Sequence, residues 1–197
     1  AKKPKYALLE NVDRLLKSPR IQRGRDFAVM LASLSDLGYS VEWRVVDSSE
    51  YGFPQRRKRV FIFAELNPQW KDPRERLESD GVFAKSLPIH KLESVESINI
   101  GKGSLSEITE QFNSEKGDTP TPFGNCGVMI DREILTGKCK PNYLGDKKNL
   151  SSILVNPGKI PDSFILDSDS LLRGKGWIYH KGGKKEMREG TDGFTYK

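Results

Sequence analysis

The chain has 197 residues, 36% of them hydrophobic and 30% charged, with a formal net charge of +6 and a pI near 9.2. That length holds one large domain or two small ones, and the basic balance favours a polyanionic partner. Two cysteines exclude a disulfide-stapled scaffold, and no apolar run is long enough for a membrane span or a secretion signal, so a cytoplasmic setting is expected.

Tyr6-Ala7-Leu8-Leu9 predicts a short strand that ends in Glu10-Asn11-Val12. Polar residues at such a strand end lie where open α/β sheets place their ligand crevice. From Arg23 to Leu37, the residues Phe27, Met30, Leu31, Leu34 and Leu37 recur at helical spacing and predict one apolar face. Gly38 is placed to end that helix in a left-handed conformation. Val41 to Val46 predicts the next strand, with Val41, Trp43 and Val45 on one side. A cationic loop follows, its turn fixed by Gly52 and Pro54, and runs straight into the apolar strand Val60 to Phe63. The first three elements predict a βαβ unit with a parallel pair, and the third strand is expected to run antiparallel at an edge.

Beyond Glu65 the composition changes. Pro68 and Pro73 mark residues 67–80 as a linker or short helix. Residues 81–197 are rich in Gly, Pro, Ser, Asp and Lys, with short apolar clusters at Val82-Phe83, Ile98 to Ile100, Val128 to Ile130, Ile153 to Val155 and Trp177 to Tyr179. That pattern predicts a small, irregular, mostly β domain, with one or two helical turns between Ser104 and Phe112. The expected fold class is α/β, a partial Rossmann-like sheet followed by the β domain. Three strands and one long helix do not cover such a sheet, so residues 1–66 are expected to pack against a missing N-terminal half of the same domain. The apolar faces of Tyr6 to Leu9 and Val41 to Val46 also favour self-association.

Two motifs carry the chemistry. Glu10-Asn11-Val12 closes one strand, and Tyr51-Gly52-Phe53-Pro54-Gln55-Arg56-Arg57-Lys58-Arg59 opens another. Residues two apart on an extended segment point the same way, so Arg57 and Arg59 share a side and Arg56 and Lys58 take the other. In this order, with a helix and strand between them, the motifs resemble those of the DNA cytosine-5 methyltransferases. The resemblance covers Lys5 to Glu65; downstream it holds only in kind, as a variable DNA-reading domain.

The resemblance implies an enzyme that transfers a methyl group from S-adenosylmethionine to a flipped-out cytosine of double-stranded DNA, as in bacterial restriction–modification. It implies that Glu10, Arg57 and Arg59 serve the cytosine pocket, with Asn11 and Gln55 supporting the loops. A flipped cytosine presents an amine donor and a ring-nitrogen acceptor, and one carboxylic acid matches both. Glu10 is the candidate acid, and the three side chains are expected to line one hollow. The family's Pro-Cys nucleophile loop and glycine-rich cofactor loop precede this region and have no counterpart in the sequence. The chain alone is therefore expected to be inactive and to bind S-adenosylmethionine poorly. Cys126 and Cys139 stand in the wrong context for the nucleophile.

In the reading domain, Lys138 and Lys140 form one basic group, and Arg173, Lys175, Lys184, Lys185 and Arg188 form another. Both are candidates for contact with DNA phosphates or bases. Two histidines and two cysteines without ligand spacing predict no metal site. A non-catalytic DNA-binding subunit or degenerate paralogue, and a nucleic-acid module of another family, are the alternatives. The last would hold Glu10 and Arg59 far apart.

Overall fold

The computed structural model describes residues 2–90, 92–112, 120–164, 177–179 and 185–187. Strand β1 (Tyr6–Val12) leads through a short 3-10 turn to helix α1 (Arg25–Asp36). Strands β2 (Tyr39–Asp47) and β3 (Lys58–Leu66) follow. Two short helices come next, α2 (Pro73–Glu75) and α3 (Val82–Ser86), separated by a π-type turn over Arg76–Asp80. Strand β4 (Glu93–Asn99), helix α4 (Leu105–Gln111) and the hairpin of β5 (Cys126–Ile130) and β6 (Glu133–Lys138) complete the first compact unit, residues 1–152. A second unit spans residues 153–197, in which β7 (Trp177–Tyr179) pairs antiparallel with β8 (Lys185–Met187).

The first unit is a mixed α/β structure on one open six-stranded sheet of order β1-β3-β2-β5-β6-β4, every neighbouring pair antiparallel. This corrects the expected parallel pair. Strands β1 and β2 each pair with β3, which lies between them rather than at an edge. The α1 crossover carries β2 one strand-width too far for pairing with β1. The ten-residue loop at 48–57 then lets β3 fold back into that slot. The sheet also continues into the downstream sequence, because β5 pairs with β2 from Val41↔Met129 to Arg44↔Cys126. Val82-Phe83 lies in a helix, and Ile153 to Val155 are exposed and outside any strand.

Helix α1 buries Phe27, Ala28, Leu31 and Ala32 against one face of the sheet, where Val41, Trp43, Val60, Ile62 and Ala64 meet Ile108, Phe123 and Met129. Leu37, expected on that face, is the exposed C-cap, and Gly38 turns the chain at φ +90°. Trp43 is the centre of this layer. Its ring meets Phe27 edge-on at 5.1 Å and Phe123 at 6.1 Å between centroids, and its Nε1 donates to the Gly124 carbonyl. Gly127 lies directly beneath, and a Cβ there would come within 2.1 Å of the indole.

The opposite face of β2 carries Glu42 and Arg44, both buried. Glu42 pairs with Arg76 at 3.0 Å and accepts the N–H groups of Val82 and Phe83, so it caps α3. Arg44 donates to the carbonyls of Leu77 and Leu87. These bonds tie the segment containing α2 and α3 to the second face, beside the smaller apolar cluster of Leu77, Leu92, Cys126, Val128 and Cys139. Helix α4 opens with a reciprocal Ser104–Glu107 capping box.

Candidate functional site

Antiparallel pairing of β1 with β3 sets Glu10 opposite Phe61 and Val12 opposite Arg59. Glu10 and Arg59 are thus diagonal neighbours on one side of the ladder, within reach of long side chains. Arg59 Nε lies 2.9 Å from Glu10 Oε1, and Arg57 Nη2 lies 3.5 Å from the same oxygen. Among the described residues no hydrogen bond or ion pair reaches Oε2. The side chains of Glu10, Arg57 and Arg59 are 43%, 51% and 24% exposed. Pairs this open to water contribute at most about 1 kcal/mol to stability, so their arrangement matters for what it presents rather than for what it holds together.

The two residues expected to support the loops each make one bond that involves nearby backbone. Asn11 Oδ1 accepts the Val12 N–H at 2.8 Å. At Gln55 it is the carbonyl that accepts, from the Ser48 hydroxyl at 2.6 Å. Ser48 also donates its N–H to the Arg57 carbonyl and accepts from the Phe53 N–H, so this one residue closes the 48–57 loop from inside. Asp47 starts the turn by accepting the N–H and hydroxyl of Ser49. Burial works to raise the Asp47 pKa, but the Ser49 bonds and the charges of Lys58 and Arg56 outweigh it and hold the carboxyl below its ordinary 3.8.

A depressed carboxyl stabilises the fold above its unfolded pKa and loses that contribution as pH falls through the folded value. Asp47→Ala is therefore expected to cost about 1 kcal/mol near neutral pH, the usual loss for a capping side chain. In urea unfolding, the gap between wild type and variant begins to narrow as the pH drops below 3.8 and closes below the lower folded value. A gap that persists there would show that the carboxylate is not its source.

A cleft of about 820 Å³ opens at the same ends of the strands, lined among others by Asp13, Lys17, Arg44, Lys58, Lys138 and Lys140. Glu10, Arg57 and Arg59 do not line it; Lys58, on the other side of β3, does. Lys138 stands opposite Glu93 in the β4–β6 register, and Lys140 is paired with Glu93 at 2.9 Å. Arg173, Lys175, Lys184 and Arg188 lie outside the described residues, and Lys185 is described only by its place in β8.

Cys126 and Cys139 are both buried, and Cys126 donates to the Gly137 carbonyl. A hydrogen bond to Cys139 and burial push the Cys126 thiol up, while the same bond draws Cys139 down. Among the described residues no three His, Cys, Asp or Glu side chains gather as metal ligands, and no helix is long and apolar enough to cross a membrane.

Sequence reasoning missed Arg44 and Glu42, which alternate with Val41 and Trp43 as a solvent-facing set would. It also missed Tyr143, whose ring meets Tyr51 edge-on at 6.0 Å. The only signal for it was an aromatic residue set between Pro141 and Gly145.

Comparison with known proteins follows the same lines. A family model described as C-5 cytosine-specific DNA methylase matches residues 1–179. The type II methyltransferase M.Sau3AI of Staphylococcus aureus is 40% identical over 200 residues, which cover 98% of this chain and 46% of that protein. DNA (cytosine-5)-methyltransferase 4 of Arabidopsis thaliana is 37% identical over 202 residues, covering 86% of the chain and 12% of the relative. The type II methyltransferase M.NlaIV of Neisseria lactamica is 43% identical over 70 residues, 34% of the chain and 16% of that protein. The chain thus spans less than half the length of these relatives.

Proposed function

This chain belongs to the C-5 cytosine-specific DNA methylase family, and from that membership we propose that it carries the base-holding half of a bacterial restriction–modification enzyme of the cytoplasm. In this reading the enzyme transfers a methyl group from S-adenosylmethionine to a flipped-out cytosine of double-stranded DNA. Residues 1–66 supply the C-terminal part of the catalytic domain, residues 67–80 the connection, and residues 81–197 the target-reading part. The observation that supports this most is the meeting of Glu10 with Arg57 and Arg59 at one end of the sheet.

Each side chain then has a task. A cytosine must leave the stack before its ring can be modified. The Glu10 carboxyl accepts from the exocyclic amine through one oxygen and donates a proton to the ring nitrogen through the other. Protonation draws electrons from the ring and opens it to a thiolate. Arg59, held on Oε1 at 2.9 Å, sets the plane of that carboxyl; Oε2 is the oxygen that donates to the ring nitrogen, and a remaining lone pair of Oε1 accepts from the amine. The base's carbonyl oxygen takes a further N–H of this pair, and the more exposed Arg57 reaches a phosphate beside the extruded sugar. Lys138 and Lys140, with Arg173, Lys175, Lys184, Lys185 and Arg188, contact the duplex.

The described residues do not build a site for S-adenosylmethionine. The single long helix preceded by glycine, α1, has Gly24 at φ +100° with its Cβ direction filled by Thr121, Pro122 and Phe123. Thr121, Pro122 and Phe123 thus close the turn before α1, and it offers no cradle for the carboxylate of S-adenosylmethionine.

The test is reconstitution. Joined to a segment that carries a Pro-Cys loop and a glycine-rich S-adenosylmethionine site, the chain is expected to methylate cytosine in duplex DNA. Salt-sensitive DNA binding with no methyl transfer from a well-folded assembly would favour a non-catalytic DNA-binding subunit.

A further inference from the structure

The loop that carries Arg57 is closed from inside by Ser48, but it is also covered from outside. After β6 the chain runs as a strap over residues 141–148. Its start is anchored on the segment following α3, through an Ile89↔Pro141 bridge, the Asn142 N–H on the Pro88 carbonyl and the His90 N–H on the Lys140 carbonyl. It then passes over Gly52. The Lys148 N–H donates to the Gly52 carbonyl at 3.0 Å. Tyr143 packs edge-on against Tyr51 and donates its hydroxyl to the Asp146 carbonyl, which folds the strap back on itself.

The fit at Gly52 is close on two counts. Its φ of +85° is a left-handed turn conformation, and a Cβ there would come within 2.5 Å of the Asp146 carbonyl and 2.7 Å of the Tyr143 hydroxyl. Gly145 faces the same ring, with a Cβ position 2.4 Å from the Tyr143 hydroxyl. Two glycines therefore make room for one tyrosine. Residues 53–57 beyond this point lie in no helix or strand, and Phe53, Gln55, Arg56 and Arg57 are exposed. Arg59 differs, because it belongs to the ladder of β3 and is set by register.

We propose that the strap at 141–148 positions the Arg57 loop for the reaction, and that Tyr143 is its positioning residue. Without the strap, Arg59 keeps its place over Glu10 by strand pairing, while Arg57 loses its own. The strap leaves β6 directly after Lys138 and Lys140, so it joins the DNA-reading sequence to one of the two guanidinium groups at the base pocket. The inference rests on the proposed function for its meaning in catalysis, but its physical content is a property of this chain alone.

Backbone order from 15N relaxation of the chain tests it. In Tyr143→Ala, order parameters at residues 53–57 are expected to fall from about 0.85 to below about 0.6, while those at residues 60–64 hold. Tyr143→Phe keeps the ring against Tyr51 and should retain the wild-type values. Lys148→Pro removes the N–H to Gly52 while leaving Tyr143 in place and should loosen the same residues, which covers the case in which the alanine variant does not fold. In the reconstituted enzyme, Tyr143→Ala should lower kcat roughly 10- to 100-fold with KM for DNA changed less than about threefold, since a misplaced contact that orients the extruded nucleotide is read in turnover. Unchanged order at 53–57 in folded Tyr143→Ala or Lys148→Pro, or loss along 60–64 as well, overturns the proposal. If turnover survives Glu10→Gln while Tyr143→Ala still disorders the loop, the base-pocket reading fails and the strap stands.

Discussion

Glu10→Gln in the reconstituted enzyme is expected to lower kcat by at least about 100-fold, the scale of a lost general acid. DNA affinity should move by no more than a few-fold. The amide is nearly the same shape and retains both hydrogen bonds: its carbonyl accepts from the cytosine amine and its NH2 donates to the ring nitrogen. What it lacks is a proton to give away. The substitution therefore separates holding the base from activating it. Arg59 still packs beside the position, because its place is set by pairing of Val12 with Arg59 rather than by the charge on Glu10. Single-turnover methylation with labelled S-adenosylmethionine gives the rate, and a filter-binding or fluorescence titration gives the affinity. Turnover within a few-fold of wild type would remove Glu10 from the acid role.

Trp43→Ala is expected to cost about 3–5 kcal/mol, the usual range for deleting a fully buried large aromatic. Small domains have only about 5–15 kcal/mol in total, so a fifth or more of the stability is at stake. The site has little freedom to collapse. Phe27 and Phe123 meet the indole edge-on from α1 and from the segment before β5, and Gly127 fills the space beneath it on the neighbouring strand. Three separate stretches of sequence thus lose a shared neighbour at once. Gly127→Ala is the complementary change: a methyl 2.1 Å from the indole overfills the same point. Urea unfolding of both variants measures the effect. A loss under about 1 kcal/mol for Trp43→Ala would place the centre of the core elsewhere.

The two results bear on each other through β2 and β3. Trp43 pairs across to Ile62, and Ile62 stands opposite Leu9, one residue from Glu10. A loosened core at Trp43 therefore reaches the strand ends where Glu10 and Arg59 meet. In the reconstituted enzyme the activity of a Trp43 variant would have to be measured well below its unfolding midpoint to say anything about chemistry.

Local order was legible in the sequence. The alternation around Val41, Trp43 and Val45, the helical spacing of Phe27 and Leu31, and the left-handed Gly38 all depend on side-chain period and backbone sterics within one segment. The extents of β1, α1, β2 and β3 followed from them to within a few residues. Residue spacing also placed Arg57 and Arg59 on one side of an extended segment, and both reach Glu10 Oε1. Strand order was not legible. A strand's hydrophobic period says which side is buried and nothing about which neighbour supplies the hydrogen bonds, so the insertion of β3 between β1 and β2 and the joining of β5 to β2 had no local signature.

The charges on β2 were illegible for a related reason. Alternation places Glu42 and Arg44 opposite Trp43 without saying what covers that side; both are buried, because the segment containing α2 and α3 folds back with Arg76, backbone N–H groups and carbonyls that bond all but Arg44 Nε. Tyr143 lies about ninety residues from the loop it covers, and no pattern within either stretch links them. The sequence by itself thus determined which segments of residues 1–66 become strands and helix, and which residues carry acid and base character toward a common strand end. Only the tertiary structure decided the order of the strands, the burial of the β2 charges and the strap over Gly52. These depend on contacts between distant segments, whose free energy is set by what packs against what and leaves no periodic trace in the chain.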